Sequence, residues 1–212
     1  MKKLLLVSTL GLTGLLSATA HAESTYVPAA VTGSTASARV DMSIIIPQVL
    51  FLRVGTSSGN TATDGTINSI SFTVPGANVG DSTVIAGVGG DLTAGAVTVR
   101  VYGNGGNINL NSNTTGQLTT GVAAEAIPWS QISVASAALA ATTPGFTNTG
   151  ITHPTFNATG GAGTLTSLTA TNRLVRVEGK WTYTYLNSTL PAAGTYGTSA
   201  NGGRVTYTAT QM

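Results

Sequence analysis

Five residues, Gly55-Thr56-Ser57-Ser58-Gly59, spell G-x-S-x-G directly after an apolar run. A nucleophilic serine uses that spacing when a sharp strand-to-helix turn lifts its hydroxyl above an α/β sheet. A base and an acid would also be needed, and the chain order supplies them: Asp64, Asp81, Asp91 or Glu125, then His153. The context argues against this chemistry. Asn60-Thr61-Ala62-Thr63-Asp64-Gly65-Thr66-Ile67-Asn68 follows, a stretch rich in turn formers that offers no helix for the elbow. With 27 glycines in the chain, a chance match is expected. A hydrolase is therefore the weakest reading, and no catalytic residue is assigned.

Metal chemistry fares no better. His153 stands before Pro154, Asp64-Gly65 reads as a turn, and Asp81 and Asp91 each follow a glycine. No spacing resembles a calcium loop or a zinc site, so neither metal nor cofactor is expected. Nothing selects a carboxylate pair for glycosidase work. Trp181, Tyr183 and Tyr185 could stack on sugar rings if exposed. They alternate along one face with Val175 and Val177, which makes them core residues, while Arg176, Glu178 and Lys180 opposite form a solvated face with cross-strand charge pairs. The sequons at Asn113, Asn157 and Asn187 carry no weight in a chain whose leader is of the bacterial kind.

The elements that would position these side chains are strands. Ala38, Val40, Met42 and Ile44 alternate with Arg39, Asp41 and Ser43, predicting a strand before Pro47. Residues 49–54, VLFLRV, are apolar on both faces, as in a central strand. Ile70, Phe72 and Val74 share a side, and residues 82–87 give a shorter candidate. Val97, Val99 and Val101 oppose Thr98 and Arg100, and Asn104-Gly105 then turns the chain into Ile108-Asn109-Leu110-Asn111. Residues 121–142 allow a short helix interrupted by Pro128, or an edge strand around Ile132–Val134. The longest run spans 173–186. Asn201-Gly202 turns into a closing strand whose core face is Val205, Tyr207 and Ala209. Short strands between Gly, Asn, Ser and Pro turns predict an all-β fold, a sandwich or barrel.

The first 22 residues read as a secretory signal. Lys2 and Lys3 form a positive start, Leu4–Leu16 an apolar stretch, and Ala20-His21-Ala22 a small-x-small site cut between Ala22 and Glu23. Export places the mature chain in the periplasm, on the cell surface or outside. No later run approaches the roughly 20 apolar residues of a membrane span. The two signal lysines account for the whole net charge of +2, because the seven remaining basic and seven acidic side chains balance. Scattered, balanced charge predicts no nucleic-acid partner. The absence of cysteine excludes a thiol nucleophile, a thiolate metal site and disulfides. Residues 23–37 read as a flexible N-terminal arm and 38–212 as one domain.

Two stretches carry a resemblance. ARVDMSIIIPQVLFLRVG, residues 38–55, resembles the opening strands of pilin-like subunits: alternation, a proline break, then an apolar strand. Residues 181–212 are similar to their closing pattern, a Pro/Ala turn, AGTY, and an alternating last strand. The chain looks most like the cysteine-free fimbrial major subunits of the colonisation-factor kind, and more distantly like spore-coat-U-type pilins, which usually carry cysteines. The resemblance covers about a third of the mature chain; residues 56–172 match nothing familiar. It implies an immunoglobulin-like antiparallel β-sandwich lacking one strand. A neighbouring subunit's arm would complete it by donor-strand complementation, a form of β-augmentation. The implied function is an exported, non-catalytic structural subunit of a bacterial surface or fimbria-like assembly, with like subunits, a periplasmic chaperone and an outer-membrane usher as partners. The candidate plugs of the arm are Val27, Ala29 and Val31, interrupted by Pro28 and Gly33. Deleting residues 23–37 is then expected to abolish polymers. The alternative is a self-complete secreted sandwich that binds a ligand such as a glycan.

Overall fold

A computed structural model describes residues 23–59, 61–122 and 124–212. The expected leader, including Ala22 at its cleavage point, lies outside the described residues. The chain divides into two units, one ending at Ile46 and one spanning Pro47–Met212, where the sequence placed the division after residue 37.

The second unit is all-β and sandwich-like. Among the described residues its only helical pieces are single 3-10 turns at Gly76–Asn78 and Trp129–Gln131. Six strands carry the architecture: β1 (Leu50–Val54), β2 (Ala96–Gly103), β3 (Ile108–Thr114), β4 (Ile132–Ala137), β5 (Val175–Tyr185) and β6 (Val205–Gln211). One sheet runs β1-β2-β5-β4 with these four strands antiparallel, Leu52 opposite Val101, Trp181 opposite Val97, and Tyr183 opposite Val134, while the short stretch Thr147–Asn148 joins β5 in parallel. In the other, β3 pairs along its whole length with β6, Ala209 facing Leu110 and Tyr207 facing Ser112. The far edge of β3 takes the short stretches 161–162 and 166–168.

Period-two alternation explains which residues meet between the sheets. Val97, Val99, Val101, Ile108, Leu110, Val175, Trp181, Tyr183 and Tyr185 form the buried core. Val205, Tyr207 and Ala209 pack against it from β6, half-buried. The order also fits the constant-type immunoglobulin arrangement of A-B-E-D against C-F-G. In chain order β1, β2, β3, β4, β5 and β6 take places A to F. No strand among the described residues takes place G, beside β6.

Three expectations need correction. VLFLRV is an edge strand rather than a central one, since β1 pairs only with β2. Its polar-face member Arg53 is held by Asp91 at 3.3 Å and by the Gly55 carbonyl, so two-sided apolarity there reflects local cover and not a second neighbour. The strand expected before Pro47 is not formed: residues 23–49 hold no strand. Alternation supplies a face, but a strand also needs a partner backbone to satisfy its N–H and C=O groups. The third concerns the supposedly solvated face of β5. Glu178 is fully buried and Arg100, directly opposite on β2, nearly so, because residues 138–149 cross that face.

Candidate functional site

The residues that suggested catalysis do not assemble. The Ser57 hydroxyl donates to the Gly59 carbonyl at 2.8 Å, in a loop with no helix after it. Asp64 accepts from the Thr66 amide, Asp81 from the Thr83 amide, and Asp91 from the Thr98 amide, each at 2.8 Å. Glu125 accepts from the Thr120 hydroxyl. The three aspartates cap local backbone, and hydrogen bonding from Thr66 and from Asn78 holds Asp64 and Asp81 below the ordinary carboxylate range. Among the described residues no three His, Asp or Glu side chains gather as a metal would require.

His153 is loop by backbone, and its half-buried ring packs against the core aromatics. Its ring meets Phe156 and Trp181 edge-on, both at 4.6 Å between centroids, and Nε2 lies 2.7 Å from the Tyr207 hydroxyl. Tyr207 in turn meets the Tyr183 hydroxyl at 2.8 Å. Burial lowers the His153 pKa to about 4 and raises those of Tyr183 and Tyr207, so all three are neutral near pH 7. Trp181 donates its indole N–H to the Ile151 carbonyl at 2.6 Å. With Trp181, Tyr183 and Tyr185 each under a tenth exposed, this aromatic face fills the core and leaves no ring for a sugar.

Sequence reading missed a second buried network. Glu178 accepts from Arg100 Nε and Nη2 at 3.1 and 2.7 Å and from the Thr143 amide, while Arg100 Nη2 also donates to Thr143 Oγ1. Phe146 lies under both Arg100 and Arg176, at 4.6 and 4.8 Å from the ring centroid. For Glu178 burial acts to raise the pKa, but the Thr143 and Arg100 hydrogen bonds prevail and lower it. The available signal was the lone charge Arg100 in one valine-rich run and the lone acidic residue Glu178 in the other.

The two lateral sides of the sandwich differ. On one, the chain crosses between the sheets: Gly150 approaches the Ser136 carbonyl of β4, the Pro154 carbonyl accepts from Ser112 of β3, and the Thr155 carbonyl accepts from the Thr164 amide. On the other side β1 and β6 adjoin as sheet edges, and among the described residues neither has a strand on its outer edge. The inward residues there are incompletely covered. Leu50 is 42% exposed, and Leu52, Val54, Val205, Tyr207 and Ala209 are only half-buried. Gln48 and Gln211 meet at 2.9 Å at one end of this seam.

The first unit exposes an apolar stretch. Val40, Met42, Ile44 and Ile46 are 74, 89, 86 and 76% exposed along an unpaired stretch. The plugs expected from the arm are less suited. Val27 is half-buried and Val31 75% exposed, but between them Ala29 takes a left-handed φ of 54° and residues 28–29 form a turn, so the three do not line one extended face. The arm is closed locally by a 2.6 Å ion pair from Arg39 to Glu23 and by a Thr25 hydroxyl bond to the Ser37 carbonyl.

Fold and site together define an all-β, sandwich-like protein with one open lateral seam, in which no three His, Asp or Glu side chains gather among the described residues. Compared with known proteins, the chain matches no family model, no curated protein and no solved structure.

Proposed function

We propose that the chain is an exported structural subunit of a bacterial surface or fimbria-like assembly, built by β-strand addition at the open seam. The observation that carries this reading is the free outer edge of β6 beside half-covered Leu52, Val54, Val205 and Ala209. A strand added there satisfies the edge N–H and C=O groups and covers the apolar faces in one step, which is how β-augmentation gains its affinity. The leader-like first 22 residues support export, and the pilin-like opening and closing segments support a fimbrial setting with a chaperone and usher. The work of such a subunit is mechanical, and it uses neither Ser57 nor His153 chemically.

The test is direct. The processed protein, purified from an exporting bacterium, is run unheated on a denaturing gel and by light scattering. A ladder of polymers that collapses on boiling is the expected result. A monomer at high concentration that unfolds and refolds reversibly overturns the proposal.

A further inference from the structure

We infer that Asn201 is a site of spontaneous covalent modification, at which the side-chain amide is lost to attack by the Gly202 nitrogen. Asn104, the other asparagine that precedes a glycine, is protected from the same reaction by the fold.

An asparagine followed by glycine is open to this chemistry for a steric reason. Glycine has no side chain to shield its nitrogen, and its backbone turns freely enough to bring that nitrogen onto the asparagine Cγ. The chain holds two such pairs, Asn104-Gly105 and Asn201-Gly202, both outside the strands. From sequence alone they are equivalent.

The structure treats them differently. Asn104 Oδ1 accepts from the Val49 amide at 2.8 Å, and its Nδ2 donates to the Pro47 carbonyl at 2.9 Å. The Asn104 amide also donates to the Val49 carbonyl. Its side chain can swing onto the Gly105 nitrogen only after both of its own bonds open. Among the described residues, neither the Asn201 side chain nor the Gly202 amide makes a hydrogen bond. The Asn201 and Gly203 amides both donate to the Thr198 carbonyl at 2.9 Å, and these bonds hold the turn without using either reacting group. Asn201 and Gly202 are only half-buried, so water reaches them.

The reaction balances with water as the sole co-reactant. The Gly202 nitrogen gives up its proton to water and bonds to Asn201 Cγ, and Nδ2 leaves as ammonia, forming a succinimide ring. Water then adds to one of the two ring carbonyls, that C–N bond breaks, and the nitrogen regains a proton. Opening at Cγ leaves aspartate at 201. Opening at the main-chain carbonyl leaves isoaspartate, whose chain runs on through Cγ. The Asn201 carbonyl oxygen now accepts from the Thr119 amide at 3.0 Å. In isoaspartate that oxygen belongs to a free carboxylate, and a charged acceptor strengthens the bond. Either product gives the balanced residues 23–212 one excess negative charge, and isoaspartate adds one backbone carbon ahead of β6.

The full processed protein, kept warm in mildly alkaline heavy-oxygen water, is digested and sequenced by mass spectrometry, with an isoaspartate-specific methyltransferase as second readout. Heavy oxygen and isoaspartate should accumulate at 201 about tenfold or more faster than at 104, because two hydrogen bonds must open first at Asn104. In urea the two sites should react at similar rates. Asn201→Gln, whose longer side chain closes a larger ring far more slowly, should remove the label at 201. Equal rates at both sites in the folded protein overturn the protection of Asn104. An Asn201 that stays intact while the urea-unfolded chain reacts at both sites overturns its assignment, as does label that persists at 201 in Asn201→Gln.

Discussion

Breaking the Arg100–Glu178 pair should be the most damaging single change to the sandwich body. Arg100 is 3% exposed and Glu178 is fully buried, so the two charges stabilise each other inside the body, with Thr143 bonded to both. Replacing Glu178 with Leu leaves a guanidinium in a dry site. Losing one partner of a buried pair costs about 3–5 kcal/mol. That is a large part of the roughly 5–15 kcal/mol that holds a folded domain. For a unit of this size it corresponds to a drop in Tm of roughly 6–20 °C. The partner change Arg100→Met should cost a similar amount, for the same reason read from the carboxylate.

The double variant Arg100→Met/Glu178→Leu is the sharper test. Removing both charges abolishes the desolvation cost as well as the attraction, so the double should lie within about 2 kcal/mol of the parent, in either direction. Urea unfolding of the parent, both singles and the double gives the coupling directly. Both singles costing less than about 1 kcal/mol would refute the reasoning, because the pair would then have to be solvated. The loop offers an independent readout. Thr143 and Phe146 are tied to this pair, so amide exchange over 138–149 should quicken in the Glu178→Leu single.

Acid should loosen the fold through His153, the only histidine after residue 22. Its pKa is lowered to about 4 from an ordinary 6.5, so its share of stability is complete above pH 6.5 and drains away as pH falls toward 4, by up to about 3 kcal/mol; His153→Gln should flatten the urea-unfolding profile between those values, and an unchanged slope would count against the burial argument. Gly202→Ala should destabilise the start of β6, since φ is +80° and an added Cβ would run into the Gln117 carbonyl. The left-handed backbone alone costs about 1–2 kcal/mol, and a urea midpoint equal to the parent's would mean that the turn has relaxed.

How legible this was depended on whether a residue's neighbours are near in sequence. Tyr207 and Trp181 could be assigned to the core because alternation within one strand already fixes a face. Phe51 and Arg53 misled for the opposite reason: a run apolar on both sides looks the same whether a second strand or a crossing loop covers it. Glu178 read as solvated because its burial comes from Thr143 and Phe146, thirty-odd positions away and in no regular element. His153 beside Pro154 read as loop, and so it is by backbone; only the crossing between sheets carries its ring onto Tyr207. The alternation at 38–44 was legible, but the absence of a partner strand was not.

That last case bears on what the chain is for. A sheet edge invites pairing with any passing strand, and folded proteins blunt it with charge, proline, a bulge or cover. β6 uses none of these: Val205–Gln211 has no charged residue and no proline, and it pairs in unbroken register with β3. The opposite side is treated differently, being closed by the crossing at 150–156. Residues 23–212, whose charges balance, also lack the self-repulsion that would keep copies apart. An undefended edge of this length is a liability in a lone chain, and the strand addition proposed above would cover it.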